Sequence, residues 1–365
     1  MGLKTVTGDY GTAHKGRGAA SNPEGRFESL RREAFDDGWE IRSEDENDRP
    51  RTSVTPEQAK SIITHNESPD LPFTKSINTY RGCEHGCVYC YARPSHAYLG
   101  LSPGLDFETR LFAKVNAAQL LREELARPGY TCENITLGAN TDVYQPAERD
   151  WCITRQVLEV LAEHDHPVAI ITKNALVERD LDLLAPMAAK GLAQVYISVT
   201  TLDHDLARRM EPRASAPRRR VQAIRALAQA SVPTGVMVAP IVPFLTDDAM
   251  ESVLAAAAEA GASMAAYTVM RLPWELKDLF KEWLEHHYPL KAAHVMSRVR
   301  QLRGGKENDP NFGTRLRGTG LLADLLSKRF ENACRRLGLN QARRSPDVDT
   351  SRFRRPRAGS QLDLF

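Results

Sequence analysis

Residues Arg81–Arg93, RGCEHGCVYCYAR, place three of the six cysteines of the chain within eight positions. Cys83, Cys87 and Cys90 follow the spacing C-x3-C-x2-C. Thiols clustered in this way are typical of a metal centre. A closed tetrahedral site takes four ligands, so three thiolates leave one position for another group. The stretch therefore predicts a metal-bearing loop with an open coordination position.

The inorganic group that best fits three thiolates is a [4Fe-4S] cluster, because three thiolates leave one of its four irons open. The first alternative is a zinc ion with His85 as fourth ligand, but His85 lies between two cysteines, without the usual paired spacing. A third interpretation is three cysteines buried in an apolar core. Glu84, His85 and Gly86 make the loop polar, which argues against that interpretation.

The composition is that of an ordinary globular protein. The chain has 365 residues, 42% apolar and 26% charged, and a net charge of +2 that is too small to indicate a partner. The first residues lack the apolar core of a signal peptide. The most apolar run, 230–245, is interrupted by prolines and predicts a buried strand rather than a membrane span. We therefore expect a cytoplasmic protein without membrane association, in a reducing compartment where clustered cysteines favour metal over disulfides.

Strand-like and helix-like segments alternate from about residue 76. This alternation predicts an α/β fold with a parallel sheet and right-handed crossovers. Six units in about 200 residues indicate a partial (β/α)6 version of the eight-unit TIM-type barrel, with a doubly wound sheet as the competing arrangement. The predicted strands are 76–80, 135–139, 168–173, 194–200, 234–241 and 265–271. The predicted helices are 106–126, 147–164, 178–189, 216–230 and 246–260.

The chain divides by pattern into four parts. Residues 1–70 show little periodicity and are expected to form an irregular, extended N-terminal arm. Within that arm, the segment HKGRGAASNPEGRFE (14–28) is interpreted as a solvated loop wrapping the domain. The partial barrel is predicted for 71–273, a mostly helical C-terminal extension for 274–337, and a basic tail for 338–365.

The cysteine spacing, with an aromatic residue before the third cysteine and a strand before the first, resembles the radical S-adenosylmethionine (SAM) superfamily. The resemblance implies a partial (β/α)6 barrel, a [4Fe-4S] cluster held by Cys83, Cys87 and Cys90, and SAM bound to the open iron through its amino and carboxylate groups. It also implies an external electron donor such as flavodoxin or ferredoxin, and cleavage of SAM to a 5′-deoxyadenosyl radical.

Within that superfamily, residues 76–245 resemble the spore photoproduct lyase branch, which repairs a thymine dimer in DNA. The resemblance implies that Thr141, Asp142, Lys173 and Ser198 contact the methionine or ribose part of SAM, and that Ala239 contacts the adenine. The matching segments are YCY at 89–91, NTD at 140–142, ITK at 171–173, ISVTT at 197–201, MEP at 210–212 and VMVAPI at 236–241.

One position departs from the lyase pattern. The hydrogen-donor cysteine of the lyase aligns with Ala139, so the last step of photoproduct repair has no thiol donor here. Cys132 and Cys152 are interpreted as structural cysteines. Tyr89 and Tyr91 are the predicted catalytic residues, as radical relays beside the cluster, although aromatic rings there can also serve packing.

The last five residues, QLDLF, resemble the bacterial sliding-clamp binding motif. By this resemblance Gln361 hydrogen-bonds in one pocket, and Leu362, Leu364 and Phe365 supply the apolar part of the motif. Residues 335–357 contain eight arginines and two aspartates, a local charge of +6 that suits phosphate contact. A tail packed on its own domain and a solvated linker are the alternatives. The run RRR at 218–220 is expected to begin a helix outside the barrel.

The sequence as a whole predicts a radical SAM enzyme acting on DNA or in DNA repair or replication. Two other functions stay open. The first is a radical SAM enzyme that modifies a protein or a small molecule, with QLDLF incidental. The second is a non-catalytic module in which the cysteines bind zinc and the tail tethers the chain to the clamp.

Overall fold

The computed structural model describes residues 14–27, 50–341 and 348–356. The strands are β1 (Ser53–Glu57), β2 (Ile63–His65), β3 (Lys75–Ile77), β4 (Tyr80–Arg81), β5 (Arg110–Lys114), β6 (Ile135–Leu137), β7 (Val168–Thr172), β8 (Ala193–Ser198), β9 (Thr234–Ile241) and β10 (Met264–Val269). The α-helices are α1 (Leu105–Thr109), α2 (Ala117–Ala126), α3 (Glu148–Trp151), α4 (Ile153–Glu163), α5 (Leu181–Ala189), α6 (His204–Met210), α7 (Pro217–Gln229), α8 (Met250–Glu259), α9 (Leu276–His287), α10 (Pro289–Gln301) and α11 (Leu321–Leu337).

The main sheet has seven strands in the order β10-β9-β8-β7-β6-β3-β2. All neighbours from β3 to β10 are parallel, and β2 pairs antiparallel with β3 at one edge. Successive parallel strands lie side by side in chain order, so every crossover steps in the same direction, as in a barrel. A doubly wound sheet would reverse its order partway. The predicted partial barrel is confirmed as an open α/β sheet, with no closure between its two edge strands in the described residues.

The six predicted parallel strands correspond to β3, β6, β7, β8, β9 and β10, although β3 and β6 are shorter than expected. Strand β7, VAIIT, is buried at four of its five positions. Such a strand has helices or other chain on both faces, which is why its sequence is apolar at odd and even positions alike. The end of the sheet at which these parallel strands terminate is called the carboxyl edge below.

The predicted helix over 106–126 is wrong in its central part. The segment forms α1, then β5, then α2. Strand β5 pairs in parallel with β1 and antiparallel with β4 in a separate three-stranded sheet. The alternating burial of RLFAK in β5 is the period of a strand, and its partners lie at distant places in the sequence. Strands β1 and β2 also give regular structure to residues expected to be irregular.

The C-terminal region is helical, as predicted, and packs onto the sheet. Helix α11 lies against α8, where Arg329 forms an ion pair with Glu251 at 2.7 Å. The ring of Phe330 in α11 lies 4.7 Å from that of Tyr267 in β10. None of the helices in the described ranges is long and apolar enough to cross a membrane. The QLDLF motif at 361–365 lies outside the described residues.

Candidate functional site

The cysteine loop begins directly after β4 and lies at the carboxyl edge. Cys83 and Cys87 are each 7% exposed, and Cys90 is half-buried. The backbone N–H of Cys83 donates to the carbonyl of Phe107 at 2.9 Å, which ties the loop to α1. Gly82 has φ 75°, and a Cβ there would lie 2.7 Å from a methyl carbon of Leu111, so this turn requires glycine. The sequence therefore places the three thiols on one short loop, with two of them buried and the third half-buried.

The environment of the three thiols favours their protonated form until a metal group binds. Burial raises the pKa of Cys87 to about 12, and it also raises the pKa values of Cys83 and Cys90. Buried thiols without metal therefore stay protonated, and ligation releases their protons. Three sulfur donors around one loop are the donor set that an open iron-sulfur cluster takes, so the residues present fit the group that the spacing predicts.

His85 is turned toward other side chains. Its Nδ1 lies 3.3 Å from a carboxylate oxygen of Asp142, and its Nε2 lies 3.1 Å from the amide nitrogen of Asn174. Both ring nitrogens of His85 thus lie beside protein groups, which gives no support to the alternative of a zinc ion with His85 as fourth ligand. In the described part of the chain, no three side chains of the types His, Cys, Asp and Glu, the three cysteines included, are already grouped around a position for a single metal ion.

Lys173 immediately follows β7 and lies near the cysteine loop. Its backbone N–H donates to Asp142 at 2.7 Å, and its ammonium nitrogen lies 5.8 Å from the centre of the Tyr89 ring. Among the residues described, the ammonium forms no ion pair within 4.0 Å. A half-buried cation with no ion pair at that distance, near the loop that carries the thiols, is suited to an anionic group such as a carboxylate.

Asp142 organises the ends of β6 and β7. Its carboxylate accepts from the hydroxyl of Thr172 and from the backbone N–H of Lys173, both at 2.7 Å, and from the N–H of Tyr144 at 2.9 Å. Burial alone would raise the pKa of Asp142, but His85 and these donors lower it to about 2. The side chain is therefore a charged hydrogen-bond acceptor occupied by protein groups, and it fixes the backbone of Lys173.

Three other predicted SAM residues lie at the same edge. The Thr141 hydroxyl donates to the carbonyl of Tyr80 at 3.1 Å, and Thr141 is buried. Ser198 is the last residue of β8 and is also buried, whereas Ala239 lies in β9 and is half-buried. The structure brings these residues to the edge that carries the cysteine loop, and their contacts with SAM stay a prediction.

A buried charge network lies behind the loop and was missed by sequence reasoning. Glu211 accepts hydrogen bonds from the hydroxyl of Tyr89, from Thr200 at 2.6 Å and from the guanidinium of Arg220. Arg220 also donates to the carbonyl of Ser198 at 3.1 Å. Burial opposes ionisation of Glu211, but Arg220 in particular holds its pKa at about 2. The network therefore connects the cysteine loop with the end of β8.

The expectation that the run RRR at 218–220 lies outside the barrel is wrong for Arg220, which is 1% exposed. Helix α7 begins at Pro217 and directs its fourth residue inward, toward Glu211. Arg219 lies on the exposed side and pairs with Glu178 at 2.6 Å. Adjacent helical positions point about 100° apart, so neighbouring arginines can take opposite environments.

Tyr91 is the aromatic residue of the loop that faces the carboxyl edge. It is 50% exposed, and its hydroxyl donates to the carbonyl of Ala139. The guanidinium carbon of Arg271, just beyond β10, lies 5.6 Å from the centre of its ring. Tyr89, by contrast, is buried and its hydroxyl is bonded to Glu211. The two tyrosines that flank Cys90 thus have different surroundings.

Residues 14–27 pack against the rear of the cysteine loop, which contradicts their interpretation as a solvated loop. Glu108 accepts from the backbone N–H groups of Gly18 at 3.0 Å and Ala19 at 2.8 Å, and it pairs with the buried Arg93. A Cβ on Gly18 would lie 1.8 Å from the carbonyl oxygen of Gly86. This segment is called the rear strap below. Its glycine allows the two backbones to touch.

Proteins of known sequence resemble this chain over most of its length. Uncharacterized protein Rv2578c of Mycobacterium tuberculosis is 38% identical over 250 residues, which are 68% of this chain and 72% of the relative. Uncharacterized protein MJ0683 of Methanocaldococcus jannaschii is 25% identical over 232 residues, 64% of this chain and 82% of the relative.

Solved structures of spore photoproduct lyase share the fold. The lyase complexed with dinucleoside spore photoproduct superposes with a TM-score of 0.58 over 78% of this chain and 80% of that chain, at 16% identity. A lyase mutant with bound AdoMet and dinucleoside spore photoproduct gives a TM-score of 0.56 at 17% identity over the same shares. Residues 77–257 match the family described as the Radical SAM superfamily. The chain therefore belongs to the radical SAM superfamily and is an enzyme of SAM-dependent radical chemistry with a fold like that of spore photoproduct lyase.

Proposed function

We propose that the chain holds a [4Fe-4S] cluster on Cys83, Cys87 and Cys90 and cleaves SAM reductively beside it. When bound, such a cluster supplies the electron that cleaves SAM to methionine and a 5′-deoxyadenosyl radical. The observation that carries the proposal is a loop of two buried thiols and one half-buried thiol at the carboxyl edge, beside the ammonium of Lys173, for which the described residues provide no ion pair within 4.0 Å. Catalytic sites of barrel-type sheets form at this edge.

The residues around the loop would divide the binding of SAM among them. Lys173 would pair with its carboxylate, since a cation that forms no ion pair within 4.0 Å in the described residues gives up no such pair on binding an anion there. Thr141 and Ser198 would meet the methionine or ribose part, and Ala239 would present backbone to the adenine. Asp142 would act mainly through Lys173, because its own oxygens already accept from protein donors.

The two tyrosines are proposed as relays of unequal suitability. Tyr91 lies on the exposed side, beside the backbone of Ala139, where the substrate would enter. Tyr89 is buried and the hydrogen of its hydroxyl is donated to Glu211, so it is less open to a radical that abstracts a hydrogen atom. We therefore assign the relay to Tyr91 first.

We further propose that the substrate is DNA. The support is the shared fold with a lyase complexed with dinucleoside spore photoproduct and the eight arginines within 335–357. The QLDLF motif at 361–365 is proposed to bind the DNA polymerase sliding clamp, with Leu364 and Phe365 as apolar anchors. Removal of 361–365 is expected to abolish capture by purified clamp without changing SAM cleavage; retained capture would contradict that part of the proposal.

The test of the central proposal is anaerobic reconstitution with iron and sulfide, followed by assay of 5′-deoxyadenosine with and without DNA. Cys87→Ala is expected to lose the brown chromophore and SAM cleavage together. Cys132→Ala, which removes a half-buried thiol elsewhere, is the matched control and is expected to keep both. Four irons retained in Cys87→Ala, or one zinc per chain in protein purified without air, would refute the cluster assignment.

A further inference from the structure

Two exposed aromatic residues adopt a backbone conformation that bulky side chains rarely take. Phe244 has φ 66° and Trp274 has φ 53°, and they are the aromatic members of the small set of described non-glycine residues with positive φ. Phe244 is 48% exposed and Trp274 is 63% exposed. Left-handed backbone at a bulky residue is strained, and such strain is found preferentially at functional sites.

Both residues lie at the carboxyl edge. Phe244 comes shortly after the end of β9 at Ile241, and Trp274 comes shortly after the end of β10 at Val269. These two strands are adjacent and parallel, so the loops that follow them emerge side by side. Lys173 follows β7 at the same edge. The two rings, called the rim aromatics below, therefore stand on the side of the fold where the radical would form.

Each rim aromatic has a cation against it. The guanidinium carbon of Arg26, at the end of the rear strap that reaches this edge, lies 4.2 Å from the centre of the Trp274 ring. The ammonium of Lys291 lies 5.8 Å from the centre of the Phe244 ring, and the imidazole of His294 lies 4.1 Å from it. These contacts cover part of each ring and hold it in place, and about half or more of each side chain stays open to solvent.

A third cation at this edge has unused hydrogen-bonding capacity. Arg271 lies between β10 and Trp274, with its guanidinium over the ring of Tyr91. Its Nε is buried and has no hydrogen-bond partner among the described residues. Arg271 forms no ion pair within 4.0 Å in the same residues. An arginine fixed on an aromatic ring and without a carboxylate at ion-pair distance is suited to a phosphate group.

We infer that the rim aromatics stack on unpaired bases of single-stranded DNA, while Arg271 and Lys291 contact its phosphates. This inference rests on the proposed function, since it specifies the form of DNA that reaches the site. Exposed aromatic rings interleaved with cations are the recognition chemistry of single strands, because stacking requires a base with a free face. Bases inside a duplex have both faces covered by their neighbours. Unpaired or extruded nucleotides thus bind across the loops after β9 and β10.

The test measures binding of a fluorescently labelled oligothymidine, alone and annealed to its complement, by anisotropy at fixed salt. Wild type is expected to bind the single strand more tightly than the duplex. Phe244→Ala and Trp274→Ala are each expected to weaken single-strand binding about tenfold, or about 1.4 kcal/mol, whereas Trp274→Phe keeps most of it. Leu325→Ala, which shortens an equally exposed side chain on α11, is the control.

Tryptophan fluorescence provides a second measurement of whether a base lies on the Trp274 ring. Oligothymidine is expected to quench part of the tryptophan emission of wild type and less of that of Trp274→Phe. Equal single-strand binding by wild type and both alanine variants would overturn the inference, as would preferential binding of the duplex. The proposed function is refuted by a different result, namely that wild type cleaves no SAM. If wild type cleaves SAM but binds neither form of DNA, only the proposal that DNA is the substrate is refuted.

Discussion

Replacement of Arg220 by methionine tests whether the charge network behind the cysteine loop holds the site together. In the native structure, Arg220 pairs with Glu211 and donates to the carbonyls of Ser198 at 3.1 Å and Ser215 at 2.6 Å. Arg220→Met keeps a long side chain but leaves Glu211 charged, buried and without its counter-ion. Breaking a buried pair by removing one partner costs about 3–5 kcal/mol.

The pKa of Glu211 gives a second figure for the contribution of its charged carboxylate to the free energy of unfolding. The folded protein holds it at about 2, below an ordinary glutamate value of 4.5. That difference corresponds to about 3 kcal/mol of stability. Because the folded pKa is depressed, the contribution is fully present above the unfolded pKa and is lost as the pH falls from about 4.5 to about 2. The gap between wild type and Arg220→Met should therefore be largest near neutral pH and shrink in acid.

The assay is urea unfolding followed by circular dichroism at several pH values. Arg219→Met is the matched control, since the neighbouring arginine pairs with Glu178 at the surface with 45% of its side chain exposed. An exposed pair contributes only about 0–1 kcal/mol. Glu211→Gln in the Arg220→Met background should recover part of the loss by removing the buried charge. Equal losses in the two arginine variants, or a gap independent of pH, would refute the reasoning.

Two further predictions concern the site. Lys173→Ala is expected to retain iron and to weaken SAM binding by about 1.5–3 kcal/mol, as measured by calorimetry. The surface variant Lys190→Ala is the control and is expected to bind SAM as wild type does. Unchanged SAM affinity in Lys173→Ala would exclude the role assigned to Lys173. Gly18→Val is expected to displace the rear strap, because a Cβ there would lie 1.8 Å from the Gly86 carbonyl oxygen, and so to lower iron content per chain. Gly129→Ala, at a position with open space around it, is its control; equal iron content in the two variants would show that the strap does not protect the loop.

The parallel sheet was predictable because its signal is local. Each buried strand is a short apolar run followed by a helical pattern, as in 168–172 and the segment after it. The small sheet was not predictable in the same way. Its strand β5 pairs with β1, more than 50 positions earlier, and the pairing decides that 110–114 is a strand within an otherwise helical pattern. Long-range pairing overrides local preference here.

The thiols of the site were predictable from spacing, whereas the charges that support them were not. Cys83, Cys87 and Cys90 lie on one short loop, so their sequence order carries their geometry. Glu211 and Arg220 belong to different elements, and a glutamate in the segment MEP and an arginine in the run RRR look like ordinary surface residues. A buried pair of this kind is visible only once the fold brings its members together.

The rear strap has a consequence for the order of assembly. Gly18 bonds to Glu108, a residue 90 positions along the chain. Closing a loop of that length costs ~4 kcal/mol of chain entropy, and contacts between such distant residues are slow to form. The far side of the thiol loop is thus expected to close late. Iron and sulfide supplied before that moment can approach the thiols from two sides. Iron and sulfide added to the fully folded protein can reach the thiols only from the carboxyl edge. The timing of metal delivery relative to chain synthesis should therefore influence how much iron each chain binds.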